Sequence, residues 1–127
     1  MDVNIDTKRG FRVLQSAEIA RKIVDAALER QAFDILLLDV SEICSFADYF
    51  VVCNGETERQ LKAIVDEIDS ALSKEHVPVP KPQGTTESGW LVLDLGDIIV
   101  HLFSPRQREF YTLEDMWENS STILKIL

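Results

Sequence analysis

Residues 90–103 read Trp90-Leu91-Val92-Leu93-Asp94-Leu95-Gly96-Asp97-Ile98-Ile99-Val100-His101-Leu102-Phe103. Two apolar runs flank Gly96-Asp97, and a two-residue loop that begins with Gly fits a type II′ hairpin turn. The competing register turns at Leu95-Gly96 and sets Asp94 directly opposite Asp97, where like charges repel. The first register therefore wins, with Leu95 facing Ile98, Leu93 facing Val100 and Leu91 facing Leu102. Side chains alternate along a strand, so these six share one face, and that face is core. The other face carries Trp90, Val92, Asp94, Ile99, His101 and Phe103. It is apolar with an acid and an imidazole mixed in, so it is either only partly covered by helices or partly offered to a partner.

Working outward, Asp34 to Val40 is a continuous apolar run of the kind that forms a strand covered on both faces. Asp48 to Asn54, rich in aromatic and β-branched residues, is a second strand, and Ser41 to Ala47 connects the two. Thr57-Glu58-Arg59-Gln60 is a capping box. Behind it Leu61, Ile64, Val65, Ile68, Ala71 and Leu72 keep helical spacing. An earlier helix runs from Ala17 to about Gln31, with Ser16 as its N-cap and Ile19, Ile23 and Ala27 on its apolar face. From His76 to Gly89 the chain holds Pro78, Pro80, Pro82, Gly84 and Gly89, which no helix or central strand tolerates. That stretch is a surface loop, either a plain connector or a partner-binding edge.

Downstream of the hairpin, Ser104-Pro105-Arg106-Gln107 is another capping box, with Pro at the first helical position. A short turn continues through Tyr111. Thr112 to Trp117 reads as a helical segment with Leu113, Met116 and Trp117 inward, and Ser120 onward as a fraying end. The expected organisation is an α/β single domain over 16–120, a mixed β-sheet with flanking helices, between a flexible arm at 1–15 and a tail at 121–127.

The chain has 127 residues, enough for one core. At 46% hydrophobic and 28% charged it is neither disordered nor collagen-like. Thirteen basic against twenty-two acidic residues leave a net charge of -9. Nucleic-acid affinity comes largely from neutralising phosphates, so direct DNA binding is disfavoured and little direct RNA binding is expected. A basic protein partner is favoured, because opposite fields steer encounter. The longest apolar run, Ile35 to Leu38, is far short of a membrane span of about 20 residues. Met1-Asp2-Val3-Asn4-Ile5-Asp6 is not a secretory or organellar leader, and Cys44 and Cys53 fit two reduced thiols, so a cytoplasmic setting is expected.

No catalytic constellation stands out. His76 and His101 are the two histidines, without CxxC or HExxH, so no metal site is expected. Cys53 lies in an apolar strand, and Cys44 lacks a basic neighbour. The turn Asn54-Gly55-Glu56-Thr57-Glu58 leads from a strand into a helix N-terminus, where phosphate can bind, but Glu56 and Glu58 oppose an anion and no GxGxxG or P-loop is present. No cofactor is expected. A nucleotide-binding transferase working from Gly55 stays as the alternative function. What the sequence does offer is aromatic and acidic residues together: Trp90, Asp94, Asp97 and Phe103 near one hairpin, and Asp48 and Tyr49 at the start of a strand. Aromatic anchors with polar surroundings build interfaces. Equally, Trp90 and Phe103 can pack under the C-terminal helix.

Asp48-Tyr49-Phe50, Gly55, Arg59-Gln60, Gly89-Trp90, Asp94-Leu95-Gly96-Asp97-Ile98-Ile99-Val100-His101, Arg108-Glu109-Phe110-Tyr111, Leu113-Glu114 and Trp117 occur in an order that resembles the Iojap family, the ribosomal silencing factors. The resemblance runs from about Ser16 to Trp117. Where that family has Gly-Thr-Ser, this chain has Gly55-Glu56-Thr57, which keeps the cap hydroxyl. The resemblance implies an α/β fold related to nucleotidyltransferases without their active site, and no enzymatic activity. It implies binding to the large ribosomal subunit, at the basic protein commonly numbered fourteen on the intersubunit face. Occupying that face blocks joining of the small subunit and represses translation when nutrients are scarce. It also implies homodimer formation. On this footing Trp90, Asp94, Asp97, Asp48 and Tyr49 are the expected partner contacts. Arg59, His101, Arg108 and Tyr111 are marked by the resemblance and are compatible with holding the fold.

Overall fold

Alternation along the strands divides the apolar residues into two sets, and a computed structural model places one set on each side of a six-stranded sheet. The structure describes residues 5–6, 11–12, 15–111 and 120–127, with side chains for 15–108 and 120–127. The elements are β1 (Ile5–Asp6), β2 (Phe11–Arg12), α1 (Ser16–Glu29), β3 (Phe33–Asp39), β4 (Tyr49–Asn54), α2 (Glu58–Ser73), β5 (Gln83–Thr85), β6 (Trp90–Asp94), β7 (Ile98–Phe103), α3 (Pro105–Tyr111) and β8 (Ser121–Ile126). The main sheet has the order β5-β6-β7-β4-β3-β8. Only β4 and β7 pair in parallel; the remaining neighbours are antiparallel.

The hairpin adopts the expected register. Leu91 faces Leu102 and Leu93 faces Val100, and the Leu95 N–H donates to the Ile98 carbonyl at 2.9 Å. Gly96 has φ +89°, the positive value that a turn of this type needs at its first central position. Leu91, Leu93, Ile98, Val100 and Leu102 all join the core on the helix side of the sheet. There they meet Val51 and Cys53 of β4, Ile23 and Ala27 of α1, and Ile64, Ile68 and Leu72 of α2. Each fully buried Ile or Leu contributes roughly 1.5–3 kcal/mol, so the period-3.6 faces of the two helices are what hold this side together.

Helix ends follow local chemistry, with one shift. The Gln60 N–H donates to Thr57 Oγ1 at 3.1 Å, and Gln107 N–H to Ser104 Oγ at 3.4 Å, the N-cap half of each expected box, while the Gln60 side chain accepts from Glu56 and not from Thr57. In α1 the cap is Gln15 and not Ser16. The Glu18 carboxylate accepts from the Gln15 N–H at 3.3 Å, and Ser16 Oγ turns instead to Asp97 Oδ2 at 3.1 Å. α1 also stops before Gln31, which sits at φ +62° so that the chain can reverse into β3.

Two expectations are corrected. The loop of 76–89 contains a short strand, β5, paired to β6 once the prolines are passed. A sheet edge asks little of the backbone, which is why this stretch can pair there and not centrally. The end of the chain does not fray: β8 pairs with β3, Leu37 opposite Leu124 and Ile35 opposite Ile126, with a register shift between Leu37 and Leu38. Leu124 and Ile126 pack on the helix-side core. A mixture of Ser, Thr and Lys hid this strand, because only alternate residues need be apolar at an edge. Of the expected arm, 1–15, β1 and β2 pair with each other and Gln15 caps α1; the rest lies outside the described residues, as does the expected helix Thr112 to Trp117 with Leu113, Met116 and Trp117.

Candidate functional site

The second side of the sheet gathers Leu36, Leu38, Phe50, Val52, Ile99 and Phe103, all buried. Trp90 and Val92, on β6, are half-buried against this set. This side is thus buried at its centre and half-buried along the β6 margin.

That margin is organised by stacked rings. Trp90 lies on Phe103 with centroids 5.1 Å apart, and Phe50 meets the His101 ring edge-on at 5.1 Å. The Trp90 indole N–H donates to His101 Nδ1 at 3.4 Å. Burial pushes His101 down to about 4, so the ring is neutral at ordinary pH. With Nδ1 accepting, its proton sits on Nε2, which has no hydrogen-bond partner among the described residues. Trp90 is thus tied to its own sheet by the indole N–H and by stacking on Phe103, and it stays half-buried. A groove of about 370 Å³ runs beside it, lined by Gln83, Gly84, Ser88, Trp90, Val92 and Gln107.

The expected acidic contacts gather at the opposite end of β6, four residues from Trp90 and hence about 13 Å away. Asp48, Asp94 and Asp97 are exposed and Tyr49 half-buried. Their backbones are tied: the Asp97 carbonyl accepts from the N–H of Asp48 at 2.7 Å and of Tyr49 at 3.1 Å. Their side chains part company. Tyr49 packs on the helix-side core, and Asp97 accepts from Ser16 at the start of α1. Asp94 Oδ1 accepts from the Gly96 N–H at 2.9 Å and so braces the hairpin turn. Asp94 shares its face with Trp90 by strand alternation; Tyr49 and Asp97 do not.

The turn at Gly55 serves packing. Gly55 is buried, and a Cβ there would lie 2.8 Å from Leu61 Cδ2. The Glu56 N–H is taken by the Gln60 side-chain oxygen, while the Gln60 amide donates to the Arg30 and Gln31 carbonyls at 2.9 and 3.0 Å. Gln60 thereby clasps the end of α1 to the start of α2, and Arg59 beside it is exposed. Arg108, buried at the start of α3, donates through Nη1 to Asn54 Oδ1 at 2.8 Å and to the Asp34 carbonyl at 2.9 Å. It ties α3 to β4 and β3. Sequence reasoning missed Asn54 and Gln60 as members of these clasps; the polar residue closing an apolar strand was the available signal for Asn54. The Tyr111 side chain lies outside the described residues. Burial pushes the Cys53 thiol up to about 12, against the pull of Arg108, so it is no nucleophile. Cys44 and Cys53 belong to opposite sides of the sheet and are both free. Among the described residues no group of His, Cys, Asp or Glu could hold a metal ion, and no helix is long and apolar enough to cross a membrane.

A family model described as "RsfS: Ribosomal silencing factor during starvation" matches residues 13–126. The ribosomal silencing factor RsfS of Bacillus subtilis is 40% identical over 97 residues, which cover 76% of this chain and 82% of that protein. A mouse protein named for mitochondrial assembly of the ribosomal large subunit is 32% identical over 98 residues, 75% of this chain and 43% of its own length. A crystal structure of a Chromobacterium violaceum protein superposes with a TM-score of 0.78 at 28% identity, covering 83% of this chain and 88% of that one.

Proposed function

The chain belongs to the ribosomal silencing factor family, and from that premise we propose that it silences by occupancy and not by catalysis. It binds the large ribosomal subunit in the cytoplasm, through the basic ribosomal protein commonly numbered fourteen on the face that meets the small subunit. Its bulk there keeps the small subunit from joining and so represses translation when nutrients are limiting. The observation that carries this reading is the half-buried apolar margin of β6 and the exposed carboxylate farther along it. Trp90 and Val92 present half-buried apolar surface beside a groove, and Asp94 stands exposed farther along the same face. An apolar strip that ends in a carboxylate, on a chain of net charge -9, is complementary to a basic protein and repelled by bare rRNA. The name of the mouse relative supports the choice of subunit. A second copy of the chain, pairing apolar margins, is the homodimer this surface also accommodates.

The test is sucrose-gradient sedimentation of purified subunits with and without a saturating excess of the protein. The expected result is a loss of joined ribosomes and comigration of the protein with the large subunit. Trp90→Ala and Asp94→Lys are expected to restore joining. Normal joining in the presence of the wild-type protein defeats the proposal.

A further inference from the structure

The connection between β3 and β4 sorts its side chains against the usual rule. Cys44 and Ala47 are buried, while the larger Ile43 and Phe46 are 36% and 61% exposed. Two large apolar side chains exposed on one short loop, next to a cavity with acidic lining, are the features a docking contact would use. The loop is held in this arrangement by its backbone. The N–H groups of Ile43 and Cys44 donate to the Val40 carbonyl at 3.1 and 2.8 Å, and the Val40 N–H donates to the Asp48 carbonyl at 2.9 Å. Ser41 donates through both its N–H and its hydroxyl to Asp39 Oδ1, at 2.9 and 2.6 Å.

Beside Ile43 lies a cavity of about 370 Å³ lined by Asp39, Glu42, Ile43 and Ser121, and Phe46 stands three residues farther along the same loop. The cavity lining joins the apolar Ile43 to the acidic Asp39 and Glu42. A long basic side chain suits that shape, its methylenes along Ile43 and its charge between Asp39 and Glu42. The two Ser41 hydrogen bonds hold the Asp39 carboxyl below the usual carboxylate range, which keeps it ionised. Neither 34–49 nor 90–104 contains a Lys or Arg to neutralise this end of the sheet. The Asp94 end of β6 lies three strands away, about 14 Å.

We propose that Phe46, Ile43 and the Asp39–Glu42 groove form a docking surface for a basic protein that inserts a Lys or Arg beside an apolar contact. The inference rests on the ribosomal reading and extends its contact from β6 around the end of the sheet, adding Phe46 as an anchor. The occupant is the same basic ribosomal protein, because charge complementarity selects it.

The experiment is a titration of purified large ribosomal subunits with wild-type protein, Phe46→Ala and Glu42→Lys, read by cosedimentation, with self-association followed in parallel. Both side chains are exposed, so both variants are expected to keep the wild-type thermal midpoint. Each is expected to bind about tenfold more weakly, the effect of losing an interface anchor. Variants that bind within about twofold of wild type would overturn this surface and leave the ribosomal reading intact. Variants that change self-association while binding subunits normally would assign the surface to a second copy and also overturn it. Failure of the wild-type protein to bind subunits would overturn both.

Discussion

His101 shows how a single residue can serve the sheet at the expense of acid stability. Its imidazole is neutral because burial withdraws it from water, lowering its affinity for protons to about 4 against an ordinary 6.5. Between those two values the unfolded chain holds a proton that the folded chain rejects. The associated stability is complete above about pH 6.5 and drains away as pH falls toward 4. At pH 4.5 the loss should reach about 2–3 kcal/mol. The measurement is urea unfolding of wild type and His101→Phe at pH 7 and pH 4.5. The wild type is expected to lose that much more than the variant, which has no proton to gain. Equal acid sensitivity of the two would mean that the ring is not withdrawn from water. The same residue accepts from the Trp90 indole through Nδ1, so what reads in sequence as a marked histidine is a brace for that tryptophan.

At the scale of elements, the two edges of the main sheet are managed differently. β5 is only three residues long and follows Pro78, Pro80 and Pro82, which blunt pairing with strangers. β8 is six residues long and shields β3, whose Ile35-Leu36-Leu37-Leu38 would otherwise be an apolar edge. A chain ending at residue 120 loses the half-buried Leu124 and Ile126 and bares that run. It should be less stable by about 2–4 kcal/mol, read from its urea midpoint, and it should scatter light on warming, as an unprotected edge does. A truncated chain with the wild-type midpoint would reduce β8 to an ornament. The ion pairs Lys22–Glu75 at 3.5 Å and Arg30–Glu67 at 3.0 Å are solvent-accessible on at least one side and contribute under about 1 kcal/mol each, so α1 and α2 owe their docking to Ile23, Ile64, Ile68 and Leu72.

At the scale of the whole molecule, charge and shape act together. On the proposed reading, a net charge of -9 draws the chain toward a basic partner over a Debye length of about 8–10 Å, and salt shortens that reach. Affinity for large subunits should therefore fall about tenfold when the ionic strength is raised from roughly 0.05 to 0.3 M, mostly through slower association. Binding that ignores salt would show that the apolar margin alone makes the contact. The sheet has one side covered by α1 and α2 and the other half-buried along β6, so on the proposed reading the contact is directional, made by that margin and the neighbouring end of the sheet and not by the helix side.

What the residues determined by themselves was local. The hairpin register, the helix from Thr57 onward, the Ser104 cap and the two-faced character of the strands follow from alternation, capping hydroxyls and one glycine, all read within a few positions. Membership in the family was legible too, from the order of its blocks. What only the tertiary structure decided was non-local. The parallel pairing of β4 with β7, the use of 121–126 as a strand and the clasps made by Gln60, Arg108 and Asn54 join residues far apart in sequence. The acidic set also divided only on folding, Asp97 turning to Ser16 and Asp94 to its own turn. Strand edges and buried polar groups take whatever partner the packed chain brings within reach, and until that packing exists a local pattern cannot say which one it will be.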